Sequence, residues 1–196
     1  LPIGSKASND MIRQAVAFAG LDPAPAEAFI AAEEQAYYRY LEDFGTFYAE
    51  YWWGLPARFA VLSDSAYNLG LTSFLVNQLG LIPGLQVITD NPPEEFRDSI
   101  RAAYAGIADD VSAEVSFEED SYRIHETLKR TGFGHRPPII FGTTWERDIA
   151  KSLKAPIVEV TFPTTYEVVL SRSYIGYRGA LTLLEKIYST IVSGSA

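Results

Sequence analysis

An alternation of short apolar runs with longer amphipathic segments, starting at Arg58, constrains the fold of this chain more than any other feature. The apolar runs end in polar turns, and the pattern between them predicts crossover helices of roughly 10 to 15 residues. Strands that are apolar throughout are typical of parallel sheets covered by helices on both faces. The pattern predicts an α/β fold with a doubly wound, mainly parallel five-stranded sheet. The expected strands are 59–62, 85–88, 111–117, 138–141 and 157–160.

The residues before this alternation predict an N-terminal helical appendage. Ser8-Asn9-Asp10 carries the side-chain oxygens of a helix N-cap, and the helix that it would start ends at Gly20. Asp22-Pro23 predicts a second cap, followed by a long helix that runs to about Tyr51. We therefore expect three regions. They are the helical appendage 1–57, the α/β domain 58–192 and a disordered tail 193–196.

The long helix carries one apolar and aromatic face. Its apolar positions recur at spacings of three and four, the periodicity of an α-helix. This face either packs on the α/β domain or, together with Trp52 or Trp53, contacts a partner subunit, since aromatic side chains are enriched in interface cores. Both interpretations stay open at this point. The positions are Phe29, Ala36, Tyr37, Tyr40, Leu41, Phe44, Phe47, Tyr48 and Tyr51.

Composition excludes several classes of function. The formal net charge of -9 argues against nucleic acid and against anionic membranes as partners, because phosphate binding needs clustered Lys and Arg. The chain has no cysteine, so it forms no disulfide, thiolate nucleophile or cysteine-bound metal site of its own. No apolar run reaches the roughly 20 residues of a membrane span. We expect a cytoplasmic protein and, because the sequence opens on Leu1, a piece of a longer one.

Polar side chains follow the predicted strands, at the edge where doubly wound sheets bind their ligands. The interpretation that we favour is that they cap the following helices, as strand-to-helix turns require. The chain has neither G-x-G-x-x-G nor G-x-x-x-x-G-K-[ST], so dinucleotide and nucleoside-triphosphate binding are not supported. The candidates are Asp64, Ser65, Asp90, Asn91, Thr143, Thr144, Thr164 and Thr165.

The two histidines do not predict a metal site. His125 falls on a predicted helix with no second ligand nearby, and one imidazole is a poor metal site. His135 lies in the glycine-rich loop 132–136, where a solvated side chain is expected. No G-x-S-x-G elbow presents a serine nucleophile. The adjacent acids Glu33-Glu34 and Glu94-Glu95 face different directions on a helix, so the residues alone support no hydrolase.

Three segments of the C-terminal half share their order and spacing with a known family. Gly142–Arg147 reads GTTWER, Ala155–Pro163 reads APIVEVTFP, and Gly176–Ala180 reads GYRGA. A glycine-led loop, a P-x-x-x-x-x-F-P strand and a G-Y-x-G helix start, in this order, resemble the last domain of the nitrogenase component 1 family. The resemblance implies a nitrogenase-type, Rossmann-like domain.

Upstream motifs extend the resemblance over nearly the whole chain. Asp64 and the G-L, F-L and L-G pairs that follow it resemble a family motif, as does the opening L-P-I-G. His125 lies where beta-type chains of the family often carry a histidine. The chain departs from the family pattern at Ser63, Ala66 and Thr164-Thr165-Tyr166.

The resemblance also implies which ligands this chain lacks. In alpha-type chains the residue before G-Y-x-G is the histidine that binds the iron–molybdenum cofactor, whereas this chain has Ile175, a hydrocarbon side chain that cannot bind a metal. The cysteines that hold the P-cluster of beta-type chains belong to an N-terminal domain outside this sequence. The resemblance therefore implies the C-terminal domain of a beta-type chain, with no catalytic, cofactor-binding or metal-binding residue of its own.

The function implied by the resemblance is that of a scaffold and interface domain in an oxidoreductase complex that reduces dinitrogen or a related substrate. The implied cofactors of the parent complex are an iron–sulfur P-cluster and an iron–molybdenum-type cofactor. The implied partners are an alpha-type subunit, a second beta-type subunit and a reductase, the iron protein. A cofactor-assembly paralogue and a stand-alone small-ligand-binding α/β module remain alternatives. The family-motif and possible interface residues are Asp64, His125, Gly142, Thr143, Thr144, Phe162, Pro163, Gly176, Tyr177 and Gly179.

The G-Y-x-G stretch also predicts local structure. Gly176 and Gly179 predict a tight turn and a close approach of the chain to the last helix. Tyr177 is expected to pack with its hydroxyl paired. The buried side of the last helix, from Gly179 to Val192, is expected to consist of Leu181, Leu183, Leu184 and Ile187.

Overall fold

The computed structural model describes residues 1–50 and 54–194, without the side chains of 47–50. By contacts the chain divides into two compact units, Leu1–Leu55 with Ser171–Val192 and Pro56–Leu170 with Ser193–Ala196. The last helix thus groups with the N-terminal helices, whereas the sequence prediction assigned it to the α/β domain. The boundaries of independently folding domains stay a prediction.

The first unit consists of helices, whereas the second unit alternates strand and helix. In chain order the helices and strands are α1 (Gly4–Ala19), α2 (Ala24–Glu50), β1 (Arg58–Ser63), α3 (Ser65–Leu79), β2 (Ile82–Ile88), α4 (Glu94–Ala105), β3 (Glu114–Phe117), α5 (Ser121–Arg130), β4 (Ile139–Gly142), α6 (Arg147–Leu153), β5 (Ile157–Glu159) and α7 (Gly176–Gly194). A single 3₁₀ turn, Thr144–Glu146, precedes α6.

The sheet confirms the predicted doubly wound α/β fold. Its five strands lie in the order β3-β2-β1-β4-β5, and every neighbouring pair is parallel. β3 and β5 are the edge strands. The strand order reverses between β1 and β4, because the chain first builds outward from β1 to β3 and then returns to the other side.

Helices cover both faces of this sheet. On one face Leu62 and Val87 lie in a buried cluster with Leu128 of α5 and Ile149 of α6. On the other face Thr72 of α3 contacts Gln86, whose side chain points away from that of the adjacent Val87 because side chains alternate along a strand. The sheet is therefore buried on both sides, which explains the apolar strands.

A buried polar network ties α3 to the centre of the sheet. Asn68 Nδ2 donates to the carbonyl oxygens of Val61 in β1 and Val87 in β2, at 3.0 Å each. The amide oxygen of Asn68 accepts from the hydroxyl of Tyr104 on α4 at 2.8 Å. One amide side chain thus connects two strands and two helices.

The start of α1 corrects the sequence prediction. α1 begins at Gly4, and its N-cap residue is Ile3, so Ser8-Asn9-Asp10 is not a helix cap. Ser8 and Asn9 lie inside the helix and are buried. The physical reason is a distant contact: Ile3 forms a parallel β-bridge with Gly176, and the Gly176 N–H donates to the Pro2 carbonyl oxygen at 2.8 Å.

The predicted helix end at Gly20 and the predicted cap at Asp22 are confirmed, whereas the last helix starts earlier than predicted. α1 and α3 end at Gly20 and Gly80, both in the left-handed conformation, with φ of 63° and 65°. Asp22 accepts a hydrogen bond from Ala24 N at 3.0 Å, which confirms the second N-terminal cap. α7 begins at Gly176 rather than Gly179.

The aromatic face of α2 is only partly covered. Tyr37 is 2% exposed, whereas Phe29 and Tyr40 are 51% and 54% exposed. Tyr51, Trp52 and Trp53 lie outside the described residues. None of the described helices is both long enough and apolar enough to cross a membrane.

Candidate functional site

The strand-end candidates of β1 and β2 both serve the start of α3. Asp64 Oδ1 accepts from the Tyr67 N–H at 3.0 Å and so caps the helix. Asp90, at the end of β2, accepts from the Ser65 N–H at 3.0 Å and from the Ser65 hydroxyl at 2.8 Å. Asn91 accepts from Arg97 at 2.9 Å. Asp64 therefore caps the following helix, as predicted. Asp90 and Asn91 do not cap the helix that follows them, because the N-cap residue of α4 is Pro93, without a side-chain hydrogen bond.

The turn after β4 is built around a buried carboxylate. Glu146 is 5% exposed and accepts from the Thr143 N–H at 2.7 Å and from the Thr143 hydroxyl at 2.8 Å, which forms a capping box. A Cβ atom at Gly142 would lie 2.7 Å from Glu146 Oε2. The glycine of the GTTWER motif is therefore explained by the space that this carboxylate occupies.

The next residue of the motif reaches across to β5. Arg147 Nε donates to Glu159, a carboxylate that is 3% exposed at the end of that strand. The Tyr166 ring lies 3.6 Å from the guanidinium carbon of Arg147, in cation–π geometry. Charge pairing and stacking thus hold Arg147 in place.

A cavity of about 540 Å³ opens beside this turn. The Thr144 and Thr165 hydroxyl oxygens lie 2.6 Å apart at its edge, and the Thr144 N–H donates to the Pro163 carbonyl oxygen at 2.9 Å. The Phe162-Pro163 peptide bond is cis, and Phe162 is 69% exposed. The lining residues are Ser121, Thr144, Trp145, Arg147, Asp148, Thr165 and Tyr166.

The candidate strand-end residues therefore fall into two groups, one at the ends of β1 and β2 and one at the ends of β4 and β5. Sequence reasoning missed Glu146, Arg147 and Glu159 as the residues that organise the second group. The T-x-x-E spacing of Thr143 and Glu146 is a capping-box signature and could have identified the first of them. A buried acid at the end of an apolar strand, such as Glu159, gives no such local signal.

His125 lies on α5 with its ring partly buried. Its Nε2 atom is buried and has no hydrogen-bond partner within the part of the chain that the structure describes. His135 is exposed in its loop. Among residues 1–50 and 54–194 the structure contains no group of three or more His, Asp or Glu side chains placed to hold a metal.

The G-Y-x-G motif is a packing device in the first unit. Gly176 has a φ of 79°, which favours glycine, and a Cβ atom on Gly179 would lie 2.5 Å from the Tyr174 carbonyl carbon. The Tyr177 hydroxyl donates to Asn9 Oδ1, and Asn9 Nδ2 donates to Glu34 at 2.7 Å. The tight turn, the close approach and the paired hydroxyl are all confirmed.

The environment of Tyr177 also changes its acidity. Burial, and then the nearby negative charges of Glu34 and Glu33, raise the pKa of Tyr177. The neutral phenol is therefore the stable form over the ordinary pH range, and it acts as a hydrogen-bond donor. This chemistry suits a structural link between α1, α2 and α7 rather than proton transfer.

A groove of about 620 Å³ runs between α2 and α7. Aromatic and aliphatic side chains form much of its lining, and charged side chains complete it. Of the predicted buried side of α7, Leu183, Leu184 and Ile187 are buried, whereas Leu181 is half-buried in the groove. Ile175, just before the motif, is 44% exposed.

The residues of this chain do not fit an iron–sulfur cluster or a cluster-type cofactor. Such groups need thiolate ligands, supplemented by imidazole or carboxylate. The chain has no cysteine, and the described residues include no convergent donor set. No chemical step through such a group is assigned to this chain.

The parallel sheet and its covering helices define an α/β protein, and comparisons place it in a family. The family model for nitrogenase component 1 type oxidoreductase matches residues 1–192. This chain belongs to the nitrogenase component 1 family.

Individual relatives agree with that placement. The chain is 29% identical over 141 residues to a nitrogenase molybdenum-iron protein beta chain of Clostridium pasteurianum, a match that covers 68% of this chain and 28% of the relative. It is 25% identical over 137 residues to a light-independent protochlorophyllide reductase polypeptide of Angiopteris evecta, covering 68% of this chain and 24% of the relative. The match thus spans only about a quarter of each of these curated relatives.

A solved structure confirms the fold. The structure of nitrogenase Cp1 at pH 6.5 aligns with a TM-score of 0.71 at 24% identity and covers 98% of this chain and 39% of that chain. Nearly all of this chain therefore has a structural counterpart within a longer protein.

Proposed function

We propose that this chain is the C-terminal scaffold and interface domain of a beta-type subunit in a nitrogenase component 1 complex that reduces dinitrogen or a related substrate. The proposal rests on the contacts of the motif side chains, which hold together the chain's own turns and helices. Thr143 and Glu146 build the turn after β4, and Tyr177 links helices of the first unit. The motifs that identify the family thus shape the module rather than form a reaction centre.

The surface of the first unit supports an interface role. The groove between α2 and α7 exposes part of an aromatic face, and aromatic residues are enriched in the cores of protein interfaces. In the parent protein we expect this unit to brace the domains that carry the cofactors. The proposed cofactors are a P-cluster and an iron–molybdenum-type cofactor, held outside this chain. The proposed partners are an alpha-type subunit, a second beta-type subunit and the iron protein.

The proposal is tested by expressing the tagged parent gene together with a neighbouring alpha-type gene. We expect a complex of both subunits that contains iron, measured by size-exclusion chromatography with light scattering and by elemental analysis. Replacing Gly179→Ala in the parent should reduce the yield of that complex, because its methyl group collides with backbone. Gly45→Ala on α2 is the matched control, since a Cβ atom there has nothing within 4 Å.

Two results would contradict the proposal. One is a parent polypeptide without spaced cysteines upstream of Leu1. The other is a parent that elutes alone and without iron, which would favour the stand-alone module. An iron-containing complex that hands its cofactor to another protein, without reducing substrate, would instead identify a cofactor-assembly paralogue.

The likeness to a protochlorophyllide reductase polypeptide supports a second candidate for the substrate. The identity of 25% to that polypeptide is close to the 29% to the nitrogenase beta chain, so the family match is compatible with either substrate. Assays of the reconstituted parent complex with dinitrogen and with protochlorophyllide distinguish the two. Ammonia formation supports the first candidate, and a product absorbing as chlorophyllide supports the second.

A further inference from the structure

The segment that follows β5 presents large apolar side chains to solvent. Phe162, Val168 and Leu170 are 69%, 79% and 93% exposed, and Tyr166 is 73% exposed. Trp145, on the turn that the segment contacts, is 65% exposed. We call these five side chains the β5-loop surface. Scattered single apolar residues are ordinary on a protein surface, whereas large contiguous apolar patches mark interaction sites. The concentration of these side chains in one segment and on the turn that it contacts favours such a site.

Hydrogen bonds and a stacked ring attach part of this segment to the turn after β4. The Pro163 carbonyl oxygen accepts from the Thr144 N–H at 2.9 Å, and the Thr165 hydroxyl contacts that of Thr144 at 2.6 Å. Tyr166 stacks on Arg147, which the buried Glu159 holds in turn. These contacts fix residues 163–166 on the sheet unit, and the large apolar side chains on either side of them are exposed. A preformed surface of this kind loses little conformational entropy when another surface covers it.

The charge of the segment indicates the chemistry of what covers it. Between Thr161 and Leu170 the only charged side chain is Glu167. Charged side chains make up 21% of the whole chain, so this segment is depleted in them. Depletion of charge is typical of interface cores, and permanent interfaces are the most apolar of all. An uncharged, permanent neighbour fits this surface better than an acidic or basic transient partner.

We propose that the β5-loop surface is covered by the remaining part of its own parent polypeptide, an inference that rests on the proposed function. The match to the beta-chain relative covers 28% of that protein, and the structural match covers 39% of the solved chain, so most of such a polypeptide lies outside this module. A contact within one polypeptide pays no loss of translational freedom, which suits an interface of only a few apolar side chains.

A photo-cross-linking experiment on the purified parent complex tests the proposal. The photoreactive residue p-benzoylphenylalanine replaces Leu170, and in a control it replaces Phe96 on α4, which is 53% exposed. We expect the Leu170 position to yield cross-links within one polypeptide, to residues outside this module. On a denaturing gel the product keeps the mass of one subunit, and mass spectrometry identifies the joined peptides. Cross-links to another subunit or to a second copy would overturn the proposal, as would the absence of any cross-link.

Hydroxyl-radical footprinting gives an independent readout in the same complex. Tyr166 and Tyr122 are matched in this module, at 73% and 74% exposed. We expect oxidation of Tyr166 to be several-fold lower in the native parent than in the urea-denatured parent, with Tyr122 as the reference. Equal oxidation of Tyr166 in both states would overturn the proposal. If the complex assembles with iron and Tyr166 is oxidised as fast as in the denatured parent, this inference is wrong while the proposed function stands. If no complex or iron is found, the proposed function fails.

Discussion

Two glycine-led turns carry the family motifs, and they use glycine for different physical reasons. At Gly142 the space of a missing side chain holds the carboxylate of Glu146, which is the far end of a flexible side chain. At Gly179 the same space holds the backbone of Ser173 and Tyr174, which belongs to the segment entering α7. One motif glycine therefore makes room for a hydrogen-bonded side chain, and the other makes room for the main chain itself.

The two turns should therefore tolerate a larger residue to different degrees. A carboxylate can rotate away at the cost of its hydrogen bonds, whereas a backbone that is held at several points cannot move without rearranging its neighbours. A larger residue should therefore cost less stability at Gly142 than at Gly179, although both are motif glycines. Substitutions at the two glycines measure that inequality directly.

The largest effect is expected at Gly179. We expect Gly179→Ala to lower the free energy of unfolding by about 3 kcal/mol, the upper end for overpacking. Urea denaturation followed by circular dichroism measures the loss. Gly45→Ala should instead raise stability by up to about 1 kcal/mol, because alanine favours the helix and meets nothing there. Equal effects at both positions would show that the backbone contact at Gly179 does not constrain the turn.

The turn after β4 is expected to respond through one coupled pair. Glu146→Ala should cost about 2 kcal/mol, because it leaves the buried donors of Thr143 without their charged acceptor. Gly142→Ala alone should cost about 1 kcal/mol by displacing that carboxylate. In the double variant the penalty at Gly142 should vanish, and a double-mutant cycle in urea measures this coupling. Strict additivity would mean that the carboxylate does not occupy the space beside Gly142.

Two buried tyrosines, one in each unit, donate to an asparagine oxygen, and alkaline pH tests them. Burial, with smaller contributions from Asp90 and Asp64, raises the pKa of Tyr104, just as burial raises that of Tyr177. The folded chain therefore keeps these protons to higher pH than the unfolded chain, in which the phenol pKa is about 10. Their stabilising contribution is intact below about pH 10 and is lost as pH rises further.

Phenylalanine variants separate the two sites. Tyr104→Phe and Tyr177→Phe should each cost about 1 kcal/mol at pH 8, and each should weaken the loss of stability between about pH 10 and 12. Tyr122→Phe, at an exposed position on α5, is the control and should leave both quantities unchanged. Urea midpoints across this pH range give the measurement. A wild-type slope in either variant would contradict a raised pKa at that tyrosine.

The smallest effect is expected at the exposed ion pair of the first unit. Arg13 Nε lies 2.8 Å from Glu27 Oε1, and both side chains are about half exposed. The hydrogen bond from Arg13 lowers the pKa of Glu27, so its contribution is present at neutral pH and is lost on acidification. Solvent and salt screen this pair, and Glu27→Gln should leave the urea midpoint unchanged within error. A clear shift that disappears at high salt would show a stronger pair than the geometry implies.

The sequence predicted the sheet unit well, because its signals are local. The left-handed cap Gly80 and the side-chain cap Asp64 depend on neighbours within one turn of helix, as does Gly20 in the first unit. Apolar runs bounded by polar turns located every strand, although β2 begins earlier and β3 later than predicted. Such signals act over a few residues and need no knowledge of distant contacts.

The sequence could not predict features that depend on distant pairing. Asn9 looked like part of a helix cap, yet it is buried and bonded to Tyr177, which lies 168 positions away. Ile3 starts α1 because it pairs with Gly176. Glu159 lies within a predicted strand, and nothing in its neighbourhood along the chain indicates its pairing with Arg147 on the turn after β4. In each case the partner determines the role, and spacing along the chain carries no information about that partner.

The central place of β1 in the sheet has a consequence for the order in which the module opens. β1 is hydrogen-bonded to β2 on one side and to β4 on the other, and Asn68 adds a side-chain bond to it. Its amide hydrogens can exchange with heavy water only when the whole unit opens, whereas the short edge strand β3 can detach alone. Exchange should therefore be slowest in the first strand of the unit to leave the ribosome. The strand of the sheet that is synthesised first, β1, is thus expected to unfold last.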